Sequence, residues 1–548
     1  MSSLQESSVI MGKRKAKHFL RRLTFNYSKA QITHFATLTP RQAMDLIKLP
    51  AGRKIAEPYD PLPSASPDGY WTLSAELPTK MSGQARKDIS VTGWYFYNAH
   101  NTISLQYKMI FFLHTCFTVS KGNGTGAGTY FYDHLRLLDH FSLGSLKEMA
   151  KKVSFDHAML NYLDNNTNVA NNPNENYARE FLELFTILKG PQKGAGDYTN
   201  YQELDIQQAA KVFSGIRNQN DRSIIDPDTG IPKGYVLPNR HDQLDKKFSS
   251  AFNEQIIKGG SSEAEIEQEV KDFVDMIFNQ KATAVSYCRK LYRFFVKSEW
   301  DDEVEMNVIQ PLADLLIVSD YQILPVLERL FTSQHFFDED DTDPNDQLIG
   351  AIVKNPLQLV GELLSFFEVE LPVLSDSDTL KEYYLYFYRN FIHNSCFEAA
   401  GFSPFSPDSV AGYPGVYQSP DYDRHWFSST SIVARYKYFQ SMIAGKNLIA
   451  GWGKFESTID TVGWVKRNIS DPSDPDLLVN DCVELLFCEL PSDQRKTHFK
   501  AYLIENYDNS YWTAAWVLFE SSSDDTTVRI RLDEFFTALV NAAEFQLM

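Results

Sequence analysis

The residues best suited to chemistry lie in one stretch, NPNENYAREFLELFTILKG, which covers residues 172 to 190. Read as a helix over 172–189, the stretch places six polar side chains close together, a group called here the polar arc: Glu175, Asn176, Arg179, Glu180, Glu183 and Thr186. A glutamate can act as a general base or acid, and an arginine can orient an anionic or carbonyl oxygen. The spacing therefore predicts a candidate site on one face of a helix.

Apolar side chains follow helical spacing on the other side of the same stretch, and this stripe is predicted to be buried: Tyr177, Phe181, Leu184, Phe185 and Leu188. Asn172 can cap the helix, Pro173 suits its first turn, and Gly190 followed by Pro191 is a stop signal. The helix is therefore predicted to be central and to present the polar arc from a buried base.

The catalytic candidates are Glu180, Glu183, Arg179 and His241. In one interpretation Glu180, Glu183 and His241 bind a divalent metal that activates water, with the metal's identity open. In a second, a glutamate is a general base and His241 its acid partner without a metal. In a third, the polar arc recognises a polar ligand without chemistry. Further binding candidates are these residues: Asp164, Asn174, Glu175, Asn176 and Asp242.

A structural interpretation of the same residues stands beside these. Glu175 lies three residues after Asn172, the position of a capping box, and could simply secure the helix start. Glu175–Arg179 and Arg179–Glu183 are i,i+4 pairs, each worth about 0.2–0.5 kcal/mol on an open helix. If the helix is buried, the same ions need full pairing and become a network that specifies the fold.

Composition excludes several classes of protein. The chain of 548 residues carries 53 basic and 71 acidic side chains, a net charge of −18, which repels phosphate backbones, so no nucleic-acid partner is expected. Its five cysteines form no C-x-x-C pair and signal neither a zinc site nor a disulfide framework. No apolar run reaches the length of a transmembrane segment, and the N-terminus lacks a signal-peptide core. A cytoplasmic protein is expected, or an exported one if a leader has been trimmed.

The segment NENYAREFLELFT is similar to the central motif of a bacterial family catalogued as domain of unknown function 1800, and further motifs follow in order along the chain. The helix around Lys108 and His114 resembles the family's E-K-M-x-L-F-W-H-N-H-F, with Cys116 in place of the second histidine. The resemblance adds Lys108 and His114 to the binding candidates. It implies a helical fold and residues to watch, and it implies no reaction.

The expected fold is mainly α, a large multi-helix body with a small β-hairpin insertion. The predicted segments are an N-terminal helical segment (1–50), a Pro/Ser-rich surface excursion (51–81), a helical core (82–460) and a C-terminal helical cluster (461–548). The core contains the central helix and a hairpin at 217–250, signalled by the turn DPDTG. The hairpin is expected to lie over the central helix and bring His241 within about 12 Å of Arg179 and Glu183.

Two functions follow, and whether the chain is an enzyme is open at this point. The first is a hydrolase-like enzyme that uses Glu180 or Glu183, Arg179 and His241, and it requires a solvent-open cleft at the polar arc. The alternative is a non-enzymatic interaction or structural protein. Its aromatic loop at 405–430, with Tyr413, Tyr417 and Trp426, would meet a protein partner and requires an exposed apolar patch.

Overall fold

The computed structural model describes residues 3–49, 52–62, 69–72, 81–122, 124–194, 197–340, 347–413, 422–443, 459–505 and 507–548. Much of the predicted excursion at 51–81 lies outside these ranges, as does Tyr417 in the predicted interaction loop. In the described part the protein is mainly helical with small two-stranded sheets, which confirms the predicted fold class. The predicted domain boundaries stay predictions.

Helices of the N-terminal half are α1 Gly12–Leu23, α2 Lys29–Phe35, α3 Pro40–Ile47, α4 Thr92–His100, α5 Leu105–Cys116, α6 Gly128–His140, α7 Leu146–Val153, α8 His157–Tyr162, α9 Asn176–Glu180 and α10 Glu203–Val212. Those of the middle are α11 Glu263–Phe278, α12 Lys281–Phe295, α13 Gln310–Val318, α14 Ile323–Phe331, α15 Pro356–Phe366, α16 Ser377–Lys381 and α17 Ser429–Ile443. Those of the C-terminal part are α18 Thr461–Asn468, α19 Pro475–Leu486, α20 Asp493–Ile504, α21 Asn509–Ser522, α22 Thr526–Val540 and α23 Ala543–Gln546.

π-helical turns adjoin several of these helices, at Arg86–Val91, Phe181–Phe185, Glu305–Ile309 and Glu382–Phe397. The turn at Phe181–Phe185 continues α9, and the two together are called the central helix below. A π turn bonds residue i to i+5 and so widens the helix locally, which changes the direction of the side chains that follow.

Helix α5 lies at the centre of the hydrophobic core. All of its residues except Gln106 are buried, in agreement with a sequence that is apolar nearly all round. The ring of Phe111 contacts rings from distant parts of the chain, among them Phe25, Phe294 and Phe405. One cluster of buried apolar side chains extends from Leu4 to Phe545. No described helix is both long enough and apolar enough to cross a membrane.

The described strands form three antiparallel pairs, β1 Gln192–Gly194 with β2 Asp197–Tyr198, β3 Ile216–Arg217 with β4 Tyr235–Val236, and β5 Lys246–Lys247 with β6 Ile256–Ile257. The β3–β4 pair and its DPDTG turn form the hairpin predicted at 217–250. The turn is closed by the amide of Gly230, which donates to the carbonyl of Asp226 at 2.9 Å. Strand β4 packs against α11 and strand β5 against α10. The predicted placement of the hairpin over the central helix stays a prediction.

Candidate functional site

The central helix is shorter than the sequence predicts. It begins at Asn176 rather than Asn172, because Asn174 captures the first free amide: its Oδ1 accepts from the backbone N–H of Asn176 at 3.0 Å. Asn172 instead makes a bridge with Val169, and Glu175 makes no capping hydrogen bond. The predicted Asn172 cap and the capping-box role of Glu175 are therefore wrong.

The helix also ends early, at Phe185, and side chains of α12 bind the carbonyl groups that the ending leaves free. Lys290 Nζ donates to the carbonyl of Leu184 at 2.5 Å, Tyr287 donates to that of Phe185 at 2.8 Å, and Ser286 donates to that of Thr186. Buried carbonyls must be paired, so α12 sets where this helix stops.

The π turn changes which residues of the predicted stripe are buried. Tyr177, Phe181 and Phe185 are buried as predicted, whereas Leu184 and Leu188 are half-buried. Leu188 has a positive φ of 61°, a conformation that is costly for a leucine. A π turn followed by strained backbone beside a polar face is typical of functional sites.

Arg179 organises the polar arc. Its guanidinium lies 3.0 Å from Glu175 Oε2 and 3.6 Å from Glu183 Oε1, the two i,i+4 pairs expected from the spacing. It also lies 2.6 Å from Oε1 of Glu203, in the first turn of α10. About a third of the Arg179 side chain is exposed, so this network is at the surface, and the hypothesis that the arc is a buried network does not describe it.

Glu183 is held by two residues that the sequence did not single out. Its carboxylate accepts from the Tyr201 hydroxyl at 2.7 Å and lies 2.9 Å from Lys189 Nζ. Burial, followed by the hydrogen bond to Glu183, raises the pKa of Tyr201, so its proton stays in that bond. Lys189 also lies 5.2 Å from the ring centre of Tyr198, which fixes the ammonium group beside the arc.

Glu180 differs from the other acidic residues of the arc. It is half-buried, and no hydrogen bond or ion pair joins its side chain to any described residue. Burial and then the charge of Glu183 raise its pKa above the ordinary value of 4.5. The ring of Tyr162 is close enough that Glu180, after burial, raises the pKa of its hydroxyl. The arc therefore contains two fixed carboxylates, Glu175 and Glu183, and one available carboxylate, Glu180.

Asp164, Asn174 and Asn176 join the arc to the preceding loop. Asn174 Nδ2 donates to the backbone carbonyl of Asp164 at 3.2 Å, and Asn176 Nδ2 donates to that of Leu163 at 3.3 Å. Asp164 has a positive φ of 55° and an exposed side chain. In these contacts the two asparagines support the loop, and the Asp164 carboxylate itself takes no part.

His241 has a separate, buried set of partners. Its Nδ1 lies 2.7 Å from the carbonyl oxygen of Ser214, and its Nε2 lies 3.0 Å from Glu269 Oε2. Lys246 Nζ lies 2.6 Å from the other oxygen of Glu269, and the side chains of His241, Glu269 and Lys246 are fully buried. Among the described contacts, none joins His241 to Arg179, Glu180 or Glu183.

The contacts of His241 also decide which chemistry it can perform. A carbonyl oxygen only accepts, so Nδ1 carries a proton and cannot serve as a base for the hydroxyl of Ser214, 3.3 Å away. With both ring nitrogens engaged, His241 is not free to bind a metal with Glu180 and Glu183. In the described part of the chain, no three His, Cys, Asp or Glu side chains are grouped to hold a metal ion.

Asp242, the next residue, closes a local turn: its carboxylate accepts a hydrogen bond from the amide of Leu244 at 3.0 Å.

Lys108 and His114 lie in the core on α5. Lys108 Nζ donates to Gln358 Oε1 and lies 4.4 Å from the ring centre of Phe25, and burial lowers its pKa well below 10.5. A cavity of about 30 Å³, the size of one water, adjoins it. His114 packs against the rings of His134 and Phe405, and burial, then His134, lowers its pKa well below 6.5. Neither side chain contacts the polar arc in the described structure.

In the predicted interaction loop, the two aromatic candidates that the structure describes are buried. Tyr413 and Trp426 are 4% and 6% exposed and pack against the ring of Phe402. The Tyr413 hydroxyl donates to the carbonyl of Ser403 at 2.6 Å. These two aromatic residues therefore do not supply the exposed apolar patch that a docking loop requires.

Comparison with known proteins identifies a family and no activity. The model of the family described as protein of unknown function (DUF1800) matches residues 18–547, nearly the whole chain. No curated protein and no solved structure matches the chain.

Proposed function

The chain belongs to the DUF1800 family of proteins of unknown function, and we propose that it is a hydrolytic enzyme whose acid–base group is Glu180. The observation that carries the proposal is the difference between two neighbouring carboxylates. Glu183 is fixed by Tyr201 and Lys189. Glu180 is half-buried, has no partner among the described residues, and has a pKa above the ordinary value of 4.5 because of burial and the charge of Glu183. Pairs of carboxylates with such different surroundings are typical of acid–base sites.

In the proposed step the Glu180 carboxylate takes a proton from water as the water oxygen bonds to the carbon or phosphorus of the scissile group. The electron pair of the attacked double bond moves to its oxygen. When that intermediate collapses, the protonated Glu180 returns its proton to the leaving group, so acid and base roles alternate in one residue.

Arg179, Lys189 and His241 have different parts in this proposal. Arg179 is engaged by three carboxylates, so it fixes Glu183 and the start of α10 rather than contacting substrate. Lys189 is 44% exposed, and in this proposal its ammonium group stabilises the developing oxyanion. His241 does not enter the step, because its partners lie in a separate cluster.

The test uses chromogenic p-nitrophenyl esters and p-nitrophenyl phosphate with the wild type, Glu180→Gln and the control Glu489→Gln, which removes an exposed carboxylate paired with Arg14 outside the arc. Removal of a general base should lower the rate on a cleaved substrate by roughly 10²–10⁴-fold, while the control retains most activity. In the wild type, kcat/KM should rise with pH through a value above 4.5, as Glu180 loses its proton. An unchanged rate in Glu180→Gln would refute the assignment.

A structural role of the arc is the second candidate, favoured by Arg179 joining α9 to α10 through Glu203. In that case Glu180→Gln and Arg179→Met would change stability and no catalytic rate.

The predicted proximity of His241 to the arc stays a prediction. A double-mutant cycle of His241→Gln with Glu183→Gln tests it, because side chains without shared partners should be additive within about 0.5 kcal/mol.

A further inference from the structure

The C-terminal helices enclose a groove of about 560 Å³, far from any residue of the polar arc in sequence. Helices α17, α20 and α22 form its walls, and its volume is in the range that holds a small organic molecule. We propose that this groove binds a small aromatic amine, with the ammonium group against Asp533 and the ring against Tyr502. This inference goes beyond the proposed hydrolytic function and does not depend on it.

The apolar part of the groove comes from one face of α20 and one of α22. Tyr502 and Phe499 are three residues apart on the same face of α20; Tyr502 is half-buried and lines the groove, whereas Phe499 is buried behind it. Ala538 of α22 faces them, and its small side chain leaves the space that a larger residue would fill. Ile443, the last residue of α17, adds a further apolar surface. Such a surface fits an aromatic ring.

The charged residues of the groove are not equally available. Arg495 is paired with Glu544 at 3.0 Å and lies over the ring of Phe499. Glu534 is paired with Arg531 at 3.1 Å. Asp533 accepts a hydrogen bond from the Thr461 hydroxyl at 2.6 Å, and no described cation lies within ion-pair distance of it. A ligand that enters the groove therefore meets one uncompensated carboxylate.

The surroundings of Asp533 favour a cation as its partner. The side chain is half-buried, and burial raises its pKa above the ordinary value of 3.8. A charge held in that position without a counterion is costly, and a bound ammonium group would offset the cost.

The directions of the two helices bring the carboxylate and the aromatic wall together. Arg495 near the start of α20 pairs with Glu544 after the end of α22, and Glu505 after the end of α20 pairs with Arg531 in α22 at 2.6 Å. The helices are therefore antiparallel, which places Tyr502 toward Asp533. An amine one or two carbons from an aromatic ring can reach both at once, and an aromatic wall near the cation adds a favourable interaction.

The experiment measures binding by isothermal titration calorimetry with three matched probes: tryptamine (cationic), tryptophol (neutral) and indole-3-acetate (anionic). Tryptamine should bind most tightly and indole-3-acetate least. Asp533→Asn keeps the shape and the acceptor for Thr461, and it should weaken tryptamine binding by at least about tenfold while leaving tryptophol unchanged.

Two further variants locate the site. Asp476→Asn removes the same charge from the C-terminal helices outside the groove, where Asp476 pairs with Lys500, and should leave all three affinities unchanged. Ala538→Phe should fill the groove and abolish tryptamine binding. The proposal is overturned if none of the probes binds, if tryptamine and tryptophol bind equally, or if tryptamine binding survives Ala538→Phe or is unchanged in Asp533→Asn.

Discussion

Two clusters of charged side chains, one deep in the core and one in the polar arc, are built from the same residue types but differ in burial. In the deep cluster, Glu362 lies 3.1 Å from Arg21 and 2.9 Å from Lys354 and also accepts from the Tyr27 hydroxyl. Each of the three charged side chains of this cluster is at most 1% exposed. In the polar arc, Arg179 is 35% exposed.

The difference lies in what is left unpaired. In the deep cluster the cations also donate to backbone carbonyls, Arg21 to Leu486 and Lys354 to Phe545, so one carboxylate ties the N-terminal helix to the C-terminal end of the chain. In the arc the fixed groups surround a carboxylate, Glu180, that is held by none of them. Buried ions whose charges are paired specify a fold, whereas an unpaired, half-buried carboxylate is available for a substrate.

The largest effect is expected in the deep cluster. Glu362→Gln should lower the free energy of unfolding by about 3–5 kcal/mol, because it leaves Arg21 and Lys354 buried without a counterion. Chemical denaturation measures this. The control Glu489→Gln breaks an exposed pair with Arg14 and should cost at most about 1 kcal/mol. Equal effects of the two variants would contradict the distinction between buried and surface ions.

The same variant tests a pH dependence. Burial alone would raise the pKa of Glu362, but the charges of Arg21 and Lys354 lower it below 4.5. A carboxylate with a lowered pKa in the folded state contributes stability that is present above pH 4.5 and is lost as the pH falls through the folded value. Wild type should therefore lose part of its advantage over Glu362→Gln in acid. An advantage that is the same at pH 7 and in acid would contradict the lowered pKa.

The second buried cluster is expected to behave like the first. Lys246→Met removes the cation 2.6 Å from Glu269 and should cost about 3 kcal/mol, since it leaves a fully buried carboxylate beside His241. Its neighbour Lys247 pairs with Glu254 at the surface, so Lys247→Met should cost at most about 1 kcal/mol. Thermal unfolding of the two variants gives the comparison, and a small effect of Lys246→Met would contradict the expected cost of leaving the buried Glu269 carboxylate without its cation.

The sequence predicted the parts of this arrangement that depend on local spacing. The spacing of residues three and four apart predicted the mainly helical fold, the buried helix α5 and both ion pairs of Arg179. The ending of the central helix does not, because it is set by Ser286, which bonds Thr186 from 100 residues further along the chain. The partnership of His241 with Glu269 likewise needs a tertiary contact, and the motif around His241 gives no sign of it.

The sequence did not reveal Tyr201 and Glu203, the residues that hold Glu183 and Arg179, for a different reason. Tyr201 lies 18 residues after Glu183, close in sequence but across a turn that periodicity does not describe. Glu203 gave one usable signal, its position in the first turn of α10, where acidic residues are favoured and also face neighbouring cations.

A smaller effect is expected in the arc. Arg179→Met should lower the free energy of unfolding by about 1 kcal/mol or less, because each of its pairs is partly exposed and screened by salt. Denaturation at low and at high salt should show the loss shrinking as salt is added. A loss as large as that of Glu362→Gln would show that the arc is structural and would remove the difference between the two regions.

The smallest effect on stability is expected at Glu180, where the largest effect on activity is proposed. Burial and Glu183 raise the pKa of this residue, so the folded state holds its proton more tightly than the unfolded state does. Stability should therefore fall slightly as the pH rises through 4.5 to the raised value, and Glu180→Gln should lack that part of the fall.

At pH 7 the Glu180→Gln variant should be as stable as the wild type within about 0.5 kcal/mol, or slightly more stable, because it loses no described partner. Denaturation of both proteins between pH 4 and pH 8 measures the difference. A substantial loss of stability at pH 7 would mean that the Glu180 carboxylate is held by a favourable interaction. It would then belong with the paired ions of the deep cluster, and the carboxylate available for a substrate would have to be sought elsewhere.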